Sequence, residues 1–156
     1  RRNIDYILKN MFPMIISFDK LNQVRHIRFL KDMDGLAAHM EKHRALLEPK
    51  FRAVLAILDE GLSGCGSIAR WTKTNGGYFL SLYTLGGCAK RTVQLCREAG
   101  VVLTDAGAAY PYGVDPQDSN IRIAPTFPPL DELETASRLL CVCVRIATLE
   151  KLLQRQ

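Results

Sequence analysis

The apolar residues of this sequence keep helical spacing up to residue 62. After the loop Ser63-Gly64-Cys65-Gly66-Ser67 they take up strand spacing, and that switch limits the fold more than any other feature. The longest helical signal is "MDGLAAHMEKHRALLEPKFRAVLAILDEGL", in which Leu36, Met40, Leu47, Phe51, Val54 and Leu58 recur three, four or seven apart. Pro49 inside this run removes one backbone donor and predicts a kink. Gly61 reads as the residue just past the helix end. Two shorter helices precede it. "NIDYILKNMF" has Asn3 as its cap and Pro13 as its stop; "SFDKLNQVRHIRFLKD" has Ser17 or Asp19 as its cap.

Beyond the loop, "IARWTKT" and "GGYFLSLYT" read as an antiparallel pair joined by a tight turn at Asn75-Gly76-Gly77. "CAKRTVQLCREAG" is an amphipathic helix ending at Gly100, and "VVLTDAG" a short strand. "AAYPYGVDPQDS" is a loop and "NIRIAPT" the next strand. "LDELETASRLLCVCVRIATLEKLLQ" is the last helix, with Asp131, Glu132 and Glu134 near its positive end. Helices followed by β-β-α-β-β-α imply an α+β fold, an α/β sandwich. A small mixed or antiparallel sheet is covered by helices and preceded by a long kinked helix.

The bulk numbers narrow the function classes. The 156 residues suffice for one real core, and 47% hydrophobic with 24% charged residues excludes disordered and collagen-like chains. No apolar run approaches the roughly 20 residues of a membrane span; "LLCVCVRIATL" is broken by Arg145. The net charge of +5 permits anionic partners, but the basic residues are interleaved with acids, unlike a nucleic-acid footprint. Neither a membrane nor a nucleic acid is an expected partner. Five cysteines in no zinc spacing point to a reducing, cytoplasmic setting, with Cys141 and Cys143 as small core residues. A start at "RRNIDY", without Met and without a signal peptide, fits a piece of a longer or processed polypeptide.

Several residues carry candidate chemistry. Arg122 alternates with Ile121 and Ile123, so its side chain points away from the isoleucine face. Either it is an exposed or internally paired strand residue, or it is half-buried and grips an anion, whose carboxylate its planar fork would match. "SFDK" has the S-x-x-K spacing of serine acylases, with Ser17 and Lys20 in those places. The companion motifs are out of order, and a capped helix start explains it. His39 and His43 share a helix face but lack the glutamate of a zinc protease and a third ligand, and with His26 they read as solvated. "GGCAK" and "NGG" lack the P-loop pattern and read as turns. Tyr110 and Tyr112 in "YPYG" either line a pocket or simply pack.

Taken in order, "HMEKHRALLEPKFRAVLAILDE", "WTKTNGGYFLSL", "AKRTVQLCREAGVVLTDAGAAYPYG" and "SNIRIAPTFPPLDELETASRLL" resemble the C-terminal segment of fold-type I pyridoxal-phosphate aminotransferases of class I/II. The likeness is to their bacterial aspartate aminotransferase-like branch and covers essentially the whole chain. It implies the small domain of the pyridoxal-phosphate transferase fold at residues 34–156, with residues 1–33 as the end of a mostly missing large domain. It implies an aminotransferase parent that moves an amino group between an amino acid, with aspartate a candidate, and a 2-oxo acid. Pyridoxal 5′-phosphate would be the cofactor and a homodimer the assembly. Asn120-Ile121-Arg122 matches the family's N-x-R strand, which makes Arg122 the substrate-carboxylate arginine, with Asn120 beside it and Tyr110 the aromatic after the preceding turn. In that turn, Thr104-Asp105-Ala106-Gly107, Ala106 replaces the usual proline. Gly76 and Gly77 match the family's Gly-Gly before an aromatic strand.

The family's Schiff-base lysine has no match, since Lys20 is followed by "LNQVRHIR". The resemblance therefore implies a piece without catalytic residues of its own and without covalent cofactor. Two other readings stay open: a non-catalytic module that binds a carboxylate or a protein, and the effector half of an aminotransferase-like transcription regulator.

Overall fold

The computed structural model describes residues 2–15, 18–65 and 67–154. Two compact units result, Arg1–Ala45 and Leu46–Gln156. The first unit holds α1 (Arg2–Met11), α2 (Lys20–Leu30) and the beginning of α3 (Met33–Leu62). Helix α1 starts at Arg2, so Asn3 lies inside it and does not cap it, a difference of the size by which frayed helix ends shift. Pro13 follows its end as expected. Asp19 caps α2, its side chain accepting the Asn22 N–H at 2.9 Å; the alternative cap, Ser17, and with it the start of "SFDK", lies outside the described residues. Asp32 caps α3 through the Gly35 N–H at 2.8 Å. Gly35 is needed there: a Cβ would stand 1.9 Å from the Leu30 carbonyl oxygen.

The second unit surrounds a three-stranded antiparallel sheet in the order β1 (Ala69–Trp71), β2 (Leu80–Thr84), β3 (Asn120–Ile123). Leu80 faces Ile123 and Leu82 faces Ile121 across the β2–β3 ladder. Residues directly opposite share a face, so these four form one apolar surface. It is buried with Val54, Ile57 and Leu58 of α3, Val93 and Cys96 of α4 (Ala89–Glu98), and Leu140 and Val144 of α5 (Leu130–Leu153). Each such side chain contributes about 1.5–3 kcal/mol by leaving water. Arg91 of α4 and Glu150 of α5 lock the two helices with paired hydrogen bonds of 2.7 and 2.8 Å.

Three local expectations are corrected. The β1–β2 ladder closes earlier than a tight turn at Asn75-Gly76-Gly77 would allow. The Ser81 N–H goes to the Thr72 side-chain oxygen at 3.0 Å, which ends the regular pairing and leaves residues 73–79 as a wide connection. "VVLTDAG" forms no strand. Its only described backbone hydrogen bond to β3 is from Gly107 N–H to the Asn120 carbonyl, 3.3 Å, and a cleft borders both Val101–Thr104 and Ile123. The sheet is therefore purely antiparallel. Finally, α3 runs through Pro49 to Leu62, so Gly61 is not past its end but in its last turn. Its role is contact: a Cβ there would meet Cys141 of α5 at 2.8 Å (Sγ) and 2.9 Å (Cβ).

That contact is testable. Gly61→Ala is expected to lower stability by about 1–3 kcal/mol, the cost of overpacking a filled core. Cys141→Ala in the same chain should restore part of it, because the sulfur is gone and only the Cβ contact remains. Urea denaturation followed by circular dichroism measures both, and equal midpoints for wild type and Gly61→Ala would refute the close packing.

Candidate functional site

Strand β3 buries Ile121 and Ile123 on one side, which turns Asn120 and Arg122 to the other. On that second face Ser81 stands opposite Arg122, Tyr83 opposite Asn120, and Arg70 opposite Tyr83. The Arg122 guanidinium lies over the Phe79 ring, 4.7 Å from its centroid, and Arg70 lies over Tyr83 at 3.9 Å. Arg122 is half-buried, and its Nε is buried without a hydrogen-bond partner. Among the described residues no carboxylate pairs with it. The Oδ1 of Asn120, a residue only 2% exposed, is likewise without a partner. A half-buried cation with no internal acid is an arrangement that an external anion completes.

Arg122 also borders a cleft of ≈ 540 Å³, with Val101 to Thr104 on one segment and Asp131, Thr135 and Ser137 of α5 among its walls. Asn120 and Tyr110 do not border it. Tyr110 sits half-buried at the start of the 3₁₀ turn Pro111–Gly113, its N–H donating to the Gly107 carbonyl at 2.8 Å. Tyr112 is fully exposed with φ +57°. The structure thus places Asn120 with Arg122 on one sheet face and leaves both loop tyrosines away from the cleft.

Both ends of β3 are held by side chains far from it in sequence or hidden in its loop. Ahead of the strand, the Asp115 carboxylate accepts the N–H groups of Ser119 (2.7 Å), Asn120 (2.8 Å) and Gln117 (2.9 Å). Asp118, at φ +45°, offers its carbonyl to the N–H groups of Gly87, Cys88 and Ala89 at 3.0 Å each, and its Oδ1 to the Lys90 N–H at 3.0 Å. The lead-in to β3 therefore caps α4. Past the strand, Lys50 of α3 donates to the carbonyls of Thr126 (2.8 Å) and Pro128 (2.6 Å). Asp115, Lys50 and Phe79 carry no mark in the sequence, and Asp118 stands out there only as the start of "DSN", a companion motif to "SFDK". The two aspartates stand in a Pro/Gly/Asp-rich loop that marks turns in general; Lys50 meets partners more than seventy positions away, and nothing local announces it.

The cysteines take no part. None of the five is in a disulfide, and burial pushes Cys96 up to about 12 and Cys141 to about 11, so neither is a thiolate at neutral pH. Burial alone would raise the Asp115 carboxyl too, but the backbone N–H groups of Ser119, Asn120 and Gln117, with the Ser119 hydroxyl, outweigh it and hold the group below the usual carboxylate range. Such a group adds stability above its unfolded pKa and loses it as pH falls through the lower folded one. Asp115→Asn should cost about 0.5–1 kcal/mol at neutral pH, discounted for partial exposure. The gap to wild type should narrow below the ordinary carboxylate range, where the native group gains its proton. Urea midpoints across that range test this, and a gap that widened in acid would contradict it.

Residues 1–156 match the family described as aspartate amino-transferase. A Mycolicibacterium smegmatis relative is 48% identical over 151 residues, 97% of this chain and 35% of its own. The aspartate aminotransferase of Corynebacterium glutamicum is 46% identical over 132 residues, 85% of this chain and 30% of its own. This chain thus spans about a third of the length of the curated relatives it matches. The crystal structure of an aspartate transaminase from Corynebacterium glutamicum superposes with a TM-score of 0.83 at 46% identity, over 87% of this chain and 32% of that one. An α-aminoadipate aminotransferase of Thermus thermophilus, complexed with N-(5'-phosphopyridoxyl)-L-leucine, shares the fold at 18% identity, with a TM-score of 0.71 over 94% of this chain and 36% of that one.

Proposed function

This chain belongs to the aspartate aminotransferase family, and we propose that it supplies the substrate-carboxylate grip of a pyridoxal 5′-phosphate-dependent aminotransferase. One observation carries the reading: Arg122 is a half-buried guanidinium with no acid partner among the described residues, bordering a cleft and backed by an aromatic ring. Its planar fork offers parallel N–H donors to the α-carboxylate of an amino acid or 2-oxo acid. Phe79 covers one side of the fork, so the carboxylate approaches from the rim and not from above. Rigid β3 then fixes where the neighbouring carbon stands, and fixed position is itself a large part of the barrier reduction. Asn120, with its unpaired Oδ1 on the same face, would complete the polar surface beside the acid; Tyr110 has no such placement, and its role in binding rests on the family resemblance alone.

In the longer protein the cofactor would supply the electron sink for breaking a bond at the substrate's α-carbon. The residues of this chain do not fit its covalent anchor. Among the described residues no lysine borders the cleft, and Lys20 opens α2 in a sequence unlike the family's lysine segment. The proposed division therefore assigns residues 1–33 to the end of the cofactor domain and 34–156 to the small domain. Four of the five cysteines are buried and none is in a disulfide, which supports the reducing, cytoplasmic setting. Exposed Ile4, Ile7, Leu8, Leu21 and Ile27 on α1 and α2 support further protein contacts, the rest of the longer chain and its dimer partner among them.

In the longer protein, Arg122→Ala should lower kcat/KM for the amino donor by about 2–3 kcal/mol, mostly through a raised KM. Arg122→Lys should fall between, because it keeps the charge and loses the fork. Steady-state kinetics with aspartate and a 2-oxo acid measure both; unchanged kcat/KM in Arg122→Ala would sink the assignment.

A further inference from the structure

Helix α3 carries a second constellation that the carboxylate grip does not use. His39 and His43 stand about one turn apart on it, and their Nε2 atoms are 3.1 Å from each other. The rings meet edge to face, with centroids 4.6 Å apart at 77°. Phe29 of α2 meets the His39 ring in the same manner, at 5.2 Å and 88°, and limits its rotation. His43 is exposed and His39 half-exposed, so both nitrogens can be reached from water.

The spacing of the two nitrogens is that of a chelate. Two imidazole nitrogens each about 2.0–2.1 Å from a zinc ion, and separated by about 90–109° at it, stand about 2.9–3.4 Å apart. The observed 3.1 Å falls inside that window. We infer that His39 and His43 form a chelating site for a divalent transition ion such as Ni²⁺, Cu²⁺ or Zn²⁺. Imidazole nitrogen suits these ions, whereas Mg²⁺ and Ca²⁺ require oxygen ligands. In the metal-free pair the Nε2–H of one ring donates to the Nε2 of the other; on binding, that proton moves by way of water to the Nδ1 of its own ring, so both rings stay neutral and both Nε2 lone pairs go to the ion. Among the described residues no third histidine, cysteine or carboxylate completes the set, so water fills the other positions and the ion stays exchangeable. Glu41, the nearest acid along the helix between them, is engaged with Arg44 at 3.5 Å. The ion would bridge one turn of α3 and favour the folded helix, because the unfolded chain does not hold the two rings at this distance.

Isothermal titration of this chain with Ni²⁺ tests the site, with Mg²⁺ as the control ion. One Ni²⁺ per chain is expected, and no heat from Mg²⁺. His39→Ala and His43→Ala should each weaken Ni²⁺ binding about tenfold or more, the loss of one arm of a chelate. His26→Ala should change nothing, since its Nδ1 faces the Asn22 carbonyl at 2.8 Å on another helix. Circular dichroism checks that each variant keeps its helices. Absence of Ni²⁺ binding by wild type, wild-type affinity in either His39→Ala or His43→Ala, or an equal loss in His26→Ala would each overturn the assignment. Wild-type affinity in the single variants would place the ion on another group, such as the half-buried Cys65 thiol.

Discussion

Four residues of β3 face two ways, and the second unit is organised around that division. Ile121 and Ile123 enter the core, worth about 1.5–3 kcal/mol each, while Arg122 between them is held at the opposite face. A slip of one residue in the β2–β3 register would put the guanidinium among Leu80, Leu82 and Val54 and expose both isoleucines. The penalty for an unpaired buried charge alone exceeds what any single side-chain contact in the core returns. The packing of the core and the direction of the candidate ligand-binding cation are thus one constraint seen from two sides. Neither can be altered without the other.

Register fixes direction but not position along the strand, and the clamps at either end supply that. Asp115 gathers three backbone donors ahead of β3, and Asp118 ties the same segment to the first turn of α4. Lys50 holds the segment after β3 to α3. The strand that carries Arg122 is therefore fastened to two different helices, each embedded in the same core. In the proposed role, in which the guanidinium meets a planar acid within a fraction of an ångström, Arg122 gains from such support, since the long side chain loses less freedom when its base does not move.

Helices and the Arg122 strand were legible because their signals are periodic and local. Leu36 through Leu58 repeat at helical spacing whatever they pack against, and Ile121-Arg122-Ile123 alternate whatever lies across the sheet. The misreadings share a different cause. "VVLTDAG" has strand composition, yet pairing needs a neighbour at ladder distance, and a cleft lies along the β3 side of that segment instead. Asn75-Gly76-Gly77 has turn composition, yet the Thr72 hydroxyl ends the ladder before the turn is reached. Gly61 has helix-stop chemistry, yet it is small because Cys141, eighty positions on, leaves no room for a Cβ. In each case a residue's type was read correctly and its reason lay in a partner that sequence order does not reveal. Lys50 and Phe79 were missed for the same reason.

The two units differ in how far they satisfy themselves, and the difference bears on the proposed division of the chain. In Leu46–Gln156 the sheet and three helices bury a continuous apolar core. In Arg1–Ala45, α1 and α2 bury no residue at all, although Ile4, Ile7, Phe12, Leu21, Ile27 and Phe29 are each at least half exposed. Helices of ten and eleven residues are marginal in water without a packed apolar face. Such exposed stripes suit a surface supplied from elsewhere, which supports the proposed assignment of residues 1–33 to a larger cofactor domain. The second unit needs no such support for its core; what it leaves unsatisfied includes the buried Nε of Arg122. One part of the chain leaves apolar surface uncovered and the other leaves a buried cationic group without a partner, and the proposed longer aminotransferase with substrate bound would satisfy both.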